Sequence, residues 1–130
     1  MKKNTKGFTL IELLAVIVIL AIIALIAVPV IMNILTKTRQ SAAEDTAYSI
    51  LKAAELYYAE ALLDNPTEAF TDTTFNFPAD ANVEGGLQLK GTVPTAGAVV
   101  VNANGVASVS GSLTINGLTC TQTGTTVDCK

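Results

Sequence analysis

Glu12 is the residue of this chain whose position most needs a chemical explanation, because it stands at the edge of a long apolar segment. No ionisable residue follows it until Lys37, and the 24 residues between them would extend about 36 Å as a helix. Since a bilayer's hydrocarbon core is about 30 Å thick, this segment predicts a membrane span. A charged side chain beside hydrocarbon is costly, about 2.5 to 3.5 kcal/mol at a helix centre, and therefore indicates a functional residue with a partner.

Cys120 and Cys129, near the C-terminus, are the second pair of residues suited to specific chemistry. A two-residue hairpin loop at residues 124–125 would pair Thr123 with Thr126 and place the two cysteines directly opposite each other. In a non-hydrogen-bonded antiparallel pair their Cα atoms would lie about 4.5 Å apart, at the short end of disulfide geometry. We therefore predict a disulfide that stabilises the terminal hairpin by about 2 to 4 kcal/mol. The alternative is a free or metal-binding pair, which two cysteines without histidine support poorly.

Other catalytic or metal-binding groups find little support in the sequence. Histidine is absent, and the serines lack a recognisable base or nucleophile motif. Scattered carboxylates occur at Asp64, Glu68, Asp72, Asp80 and Glu84. Their spacing does not match a calcium-binding loop, so we interpret them as solvated acids. We expect no enzymatic activity, no catalytic residue, no metal site and no cofactor.

The residues on either side of the apolar segment predict its orientation. Lys2, Lys3 and Lys6 precede it and favour a cytoplasmic N-terminus, although Lys37 and Arg39 behind it weaken the bias. An ordinary secretory signal fits poorly, because the apolar block is too long and no small-residue cleavage site follows it. A plain membrane anchor with an incidental glutamate remains an alternative.

The N-terminal motif consists of Lys6, Gly7, Phe8, Thr9, Leu10, Ile11 and Glu12, followed by a hydrophobic helix that carries Pro29. It resembles the motif of a known family, type IV pilin-like proteins with a class III signal peptide. The resemblance covers only about the first 35 residues. It implies that a prepilin peptidase cuts between Gly7 and Phe8 on the cytoplasmic face and N-methylates Phe8, and that Glu12 is the assembly glutamate.

The physical role expected of Glu12 is to pair with the Phe8 ammonium of a neighbouring copy. In a dry helical bundle such a pair gains Coulomb energy that water would otherwise screen. Removing one partner of a buried pair typically costs about 3 to 5 kcal/mol, so Glu12→Ala should be exported but assemble badly. The alternative is that Glu12 extends to the lipid headgroups. Pro29 predicts a kink or local unwinding near Leu25, since it removes one helical hydrogen bond.

Beyond the span, helical periodicity continues as an amphipathic pattern that should end near Leu63. Its apolar face comprises Ala43, Ala47, Ile50, Leu51, Ala54, Tyr58, Ala61 and Leu62. Residues 65–86 lack a sustained period and are predicted to form an ordered loop carrying Phe70, Phe75 and Phe77. Short strands follow at 87–89, 99–101, 106–110, 113–115, 118–121 and 126–129. Two-residue type I′ turns are predicted at residues 104–105 and 116–117.

The predicted fold is therefore α+β, with a long N-terminal helix packed on a small C-terminal antiparallel sheet. The segments are a leader at 1–7, a transmembrane and assembly helix at 8–36, an amphipathic half at 37–64, a connecting loop at 65–86 and the sheet region at 87–130. Formal net charge changes from −3 to −6 when the three leader lysines are removed. An acidic surface argues against an intrinsic nucleic-acid site.

The resemblance implies a structural subunit, the major pilin of a type IV pilus-like surface filament. Its partners would be copies of itself, the prepilin peptidase and the inner-membrane assembly machinery. Before assembly the chain would cross the bacterial cytoplasmic membrane once with its N-terminus inside, and afterwards it would lie in an extracellular fibre. Adhesion, motility and DNA uptake are functions of such fibres in the family. The alternatives are a pseudopilin or minor pilin of a secretion or competence system, and a monomeric membrane-anchored binding domain.

Overall fold

The computed structural model describes residues 6–130 as one long helix followed by five strands. The elements are α1 (Leu10–Asp64), β1 (Thr73–Phe77), β2 (Ala96–Val101), β3 (Ala107–Ile115), β4 (Leu118–Thr123) and β5 (Thr126–Cys129). The predicted α+β class is confirmed. Residues 1–5 of the predicted leader, including Lys2 and Lys3, lie outside the described residues. The chain divides into two compact units, Met1–Lys37 and Thr38–Lys130.

Within the first unit, the helix α1 continues through Pro29 without interruption. The local unwinding that proline allowed is therefore not observed. A proline removes only one hydrogen bond from the ladder, and the remaining helical hydrogen bonds on both sides maintain the helix.

The second part of α1 packs its predicted apolar face on the sheet. Its buried residues are Ala43, Ala47, Ile50, Leu51 and Ala54. The three alanines are fully buried and have small side chains, so the helix backbone can approach the sheet closely while larger sheet residues fill the core. The helix ends at Asp64, close to the predicted Leu63, because Pro66 cannot continue it.

The five strands form a single antiparallel sheet in sequential order, β1-β2-β3-β4-β5, which is a meander and confirms the predicted antiparallel sheet. One face of the sheet covers α1. The buried sheet side chains are Phe75, Phe77, Val99, Val101, Ala107, Leu113, Ile115, Cys120, Val127 and Cys129. All of these core residues belong to the second unit.

The first strand is not where the sequence placed it. Residues 73–77, predicted as loop, form β1 and pair with β2, with Phe75 opposite Val99. The strict alternation of buried Phe75 and Phe77 with exposed Asn76 is the strand signal that the surrounding polar residues obscured.

Residues 87–89, predicted as a strand, lie outside the sheet. Leu87 is buried as its apolar character suggested, but its backbone N–H donates to the carbonyl of Asp80 and its carbonyl accepts from Asn82. These local bonds close a loop. The alternation of Leu87 and Leu89 is compatible with a strand or with such a loop, so the sequence pattern alone did not separate the two.

The two strands predicted at 106–110 and 113–115 are one strand, β3. Pairing with β2 shifts register between Gly97 and Ala98, leaving Gly111 and Ser112 as extra residues of a bulge. Gly111 has φ of +80°, which a bulge tolerates in glycine, so the two residues between the predicted strands lie within one strand.

One of the two predicted type I′ turns is confirmed and the other is wrong. Asn116 and Gly117 both have positive φ and connect Ile115 with its partner Leu118. Between β2 and β3 only Gly105 has positive φ, and Asn102 N–H donates to the Val106 carbonyl at 3.1 Å, so the loop within this bond has three residues, 103–105, instead of two. A Cβ on Gly105 would overlap the Tyr58 ring, whose hydroxyl donates to the Ala103 carbonyl at 3.3 Å.

The outer edge of the sheet at β5 is covered by side chains from α1. Val127 N–H donates to the hydroxyl oxygen of Tyr48 at 2.9 Å, and Cys129 N–H donates to a carboxylate oxygen of Glu44 at 3.4 Å. These N–H groups face away from β4, so without the helix they would be unpaired donors on an edge strand.

Candidate functional site

The residues singled out at the N-terminus lie at the start of α1. Gly7 and Phe8 precede the helix and have no regular secondary structure, and the Phe8 side chain is 80% exposed. The peptide bond between them is therefore outside the hydrogen-bonded helix. No helical hydrogen bond has to be broken for this peptide bond to be reached.

Glu12 forms a reciprocal hydrogen-bond pair with Thr9 that the sequence reasoning did not include. Its N–H donates to Thr9 Oγ1 at 3.3 Å, while Thr9 N–H donates to Glu12 Oε2 at 3.4 Å. The first helical backbone bond joins Leu13 N–H to the Thr9 carbonyl at 3.2 Å. Thr9 is thus the N-cap and Glu12 the third helical residue of a capping box, whose Ser/Thr-x-x-Glu pattern was visible in the sequence.

The capping box defines what the Glu12 carboxylate can still do. The cap uses Oε2, and among the described residues Oε1 has no hydrogen-bond partner. A carboxylate accepts several hydrogen bonds, so Glu12 can hold the helix start and accept an ammonium from another chain at the same time.

The rest of the first unit offers an apolar surface that the chain itself does not cover. Large apolar side chains remain exposed from Phe8 to Leu35, and none of the 18-residue window apolar enough to cross a membrane is buried. The small residues Ala21 and Ala24 leave a shallow apolar depression next to Pro29. Small residues of this kind let helices approach one another closely in a membrane.

Cys120 and Cys129 are joined by a disulfide, in the register derived from the loop at residues 124–125. The neighbouring pair, Thr119 and Lys130, exchanges both backbone bonds at 2.8 and 3.0 Å, so the cysteines occupy a non-hydrogen-bonded position. Both are fully buried against the core. Their role in this geometry is to hold β5 beside β4.

Groups of side chains suited to metal binding are not found in residues 6–130, where no three or more Cys, Asp or Glu side chains converge. Asp72 and Asp80 instead accept hydrogen bonds from the backbone N–H groups of Ala103 and Asn76. These two loop carboxylates hold neighbouring segments in place.

Comparison with known protein families finds a match on the N-terminal segment. Residues 2–28 match the prokaryotic N-terminal methylation motif. No curated protein and no solved structure matches the chain. The motif contains Gly7, Phe8 and Glu12 and is the class III signal typical of type IV pilins and pseudopilins. Proteins with this motif are structural rather than enzymatic, are processed by a prepilin peptidase, and in general assemble into filaments.

Proposed function

We propose that this chain is the major pilin of a type IV pilus-like surface filament. It is inserted once through the bacterial cytoplasmic membrane with its N-terminus inside. A prepilin peptidase removes residues 1–7 and methylates the amine of Phe8. The inner-membrane assembly machinery then transfers the chain into an extracellular fibre composed of copies of itself.

The observation that supports this proposal is the uncovered apolar surface between Phe8 and Leu35, with one carboxylate, Glu12, at its start. Lipid covers such a surface while the chain is in the membrane. In an extracellular fibre only other apolar helices can cover it, and copies of the same segment provide them in equal number.

Because lipid is as apolar as the side chains of this segment, hydrophobicity alone does not favour the bundle over the membrane. Specificity must come from close packing and from polar pairs. Oε1 of Glu12, which has no hydrogen-bond partner within residues 6–130, provides one such polar group, and the Phe8 ammonium of a neighbour is the cation that processing creates. Cleavage would in this way prepare the chain for assembly.

Composition of purified surface fibres tests the proposal. We expect this chain to be their dominant protein, with a mass that lacks residues 1–7 and includes one added methyl group and the loss of two hydrogens from the disulfide. Mass spectrometry of intact protein measures all three changes together. An intact Met1 would contradict processing, and a chain present only in trace amounts would identify a minor pilin or pseudopilin instead.

A further inference from the structure

The C-terminal end of α1 has an unbalanced negative charge. Its last residues include Glu60 and Asp64. The last turn lies wholly within the described part of the chain and contains no basic residue. A helix C-terminus already carries a partial negative charge and is normally stabilised by cations. Leu63 lies between these acids and is 82% exposed, and Glu68 follows in the next turn. We call Glu60, Leu63, Asp64 and Glu68 the acidic helix end.

A second surface of the unit Thr38–Lys130 has lysine and leucine side chains. A groove of about 310 Å³ lies between α1 and the segment that follows β1, and its walls include Lys52, Leu56, Leu89 and Lys90. Leu56 is 60% exposed. Lys52 pairs with Glu55 at 2.7 Å, whereas Lys90 has no acidic partner within residues 6–130. We call these four residues the lysine groove.

We propose that the acidic helix end of one copy docks in the lysine groove of a second copy. Leu63 would then contact Leu56 and Leu89, and the acids of one copy would face Lys90 of the other. In this contact, Lys90 of one copy provides a cation for the helix end of the other, and the acids of that helix end provide anions for Lys90. The inference rests on the proposed filament, because it assigns the occupant of the groove to another copy of this chain.

The geometry of the two surfaces suits a polymer. They are different patches of one molecule, so their contact is heterologous and leaves one patch free at each end of a chain of copies. Lys52 and Asp64 are 12 residues apart on α1, or about 18 Å along its axis, so docked neighbours would be offset by a step of that order. Exposed ion pairs contribute little affinity, and their main effect here is to fix this offset and exclude others.

Charge reversal tests the contact in the full-length chain in cells. Lys90→Glu and Asp64→Lys should each lower the yield of sheared fibres about fivefold or more, because like charges then face each other. The double variant restores opposite charges and should recover fibres. Lys130→Glu is the control, since this lysine pairs with Asp128 outside both surfaces and its reversal should leave fibre yield unchanged.

The outcomes separate the contact from the filament itself. If wild-type cells make no fibres containing this chain, the proposed function fails. If fibres form but the single variants are normal, or the double variant is no better than either single, only the docking contact is overturned.

Cross-linking of native fibres with a carbodiimide provides a second measurement. This reagent joins carboxylates to amines in contact, so it should link Lys90 to Asp64, Glu60 or Glu68 in fibres but not in detergent-solubilised monomers. The same link in monomers, or a link from Lys90 only to a different protein, would overturn the proposal.

Discussion

At the residue scale, Glu12 combines two roles that require different properties of its side chain. The hydrogen bond to Thr9 N–H requires only an acceptor, which glutamine also provides in a capping box. Pairing with an ammonium requires the negative charge. The two roles can therefore be separated by substitution at a single position.

Substitutions at Glu12 and Thr9 should affect assembly differently. Glu12→Gln keeps the cap but loses the charge, so we expect export and cleavage to continue while fibres are lost, as for Glu12→Ala. Thr9→Val removes the capping hydroxyl and keeps the charge. It should destabilise the first helical turn by about 0.5 to 2 kcal/mol and still allow fibres. Electron microscopy of cells measures fibres, and mass spectrometry verifies cleavage of each variant.

The two variants together distinguish the capping role of Glu12 from its charge-pairing role. Normal fibres from Glu12→Gln together with none from Thr9→Val would show that the cap, and not the charge pair, is what assembly requires.

At the element scale, α1 and β5 stabilise each other through hydrogen bonds that connect distant parts of the sequence. Tyr48 accepts from Val127 N–H, and Glu44 accepts from Cys129 N–H. Positions 44 and 48 are one helical turn apart, and residues 127 and 129 are two apart on a strand. The spacing of the two acceptors along α1 therefore matches the spacing of the two N–H donors along β5. The disulfide holds the opposite side of the same strand to β4.

Removing the Tyr48 hydroxyl should weaken this connection. Tyr48→Phe leaves the Val127 N–H without its partner, and we expect the free energy of unfolding to fall by about 1 kcal/mol. Tyr57→Phe is a matched control, because the Tyr57 ring packs on Phe75 at 4.9 Å and its hydroxyl has no hydrogen bond to the described part of the chain. Urea unfolding of detergent-solubilised protein and hydrogen exchange of the Val127 amide measure the difference. Equal losses in the two variants would argue against this role of Tyr48.

At the scale of the whole molecule, the two compact units differ in how their apolar residues are covered. Among residues 6–130, the buried core residues, from Ala43 to Cys129, all belong to the second unit. The large apolar side chains described in the first unit are exposed. Folding of the second unit therefore does not need the first, whereas the first needs lipid or other chains.

A fragment of residues 38–130 should accordingly fold as a soluble monomer. It retains the complete core and the disulfide, so we expect a cooperative thermal transition and a sheet signal in circular dichroism. A fragment of residues 48–130 is the control, because it lacks Ala43 and Ala47, both fully buried, and also Glu44. It should unfold at a lower temperature. Aggregation or lack of a transition in the 38–130 fragment would contradict the independence of this unit.

Features that depend on local pattern could be predicted from the amino-acid sequence. The apolar run before Lys37, the helical periodicity from Ala43, the turn at Asn116 and Gly117, and the loop at residues 124–125 each encode their structure within a few neighbouring residues. The register that places Cys120 opposite Cys129 follows directly from that short loop. The capping box of Thr9 and Glu12 is also a local feature, because its Thr-x-x-Glu pattern lies within four residues.

Features that depend on residues far apart in sequence could not be predicted in this way. Leu87 is apolar and buried, yet its backbone bonds go to the loop at Asp80, while Phe75 pairs with Val99 in the sheet. Which apolar segment enters a sheet depends on the partner strand that can satisfy its N–H and C=O groups, and local alternation carries no information about that partner. The same reason explains why the bulge in β3 and the cover of β5 by Tyr48 emerged only from the folded chain.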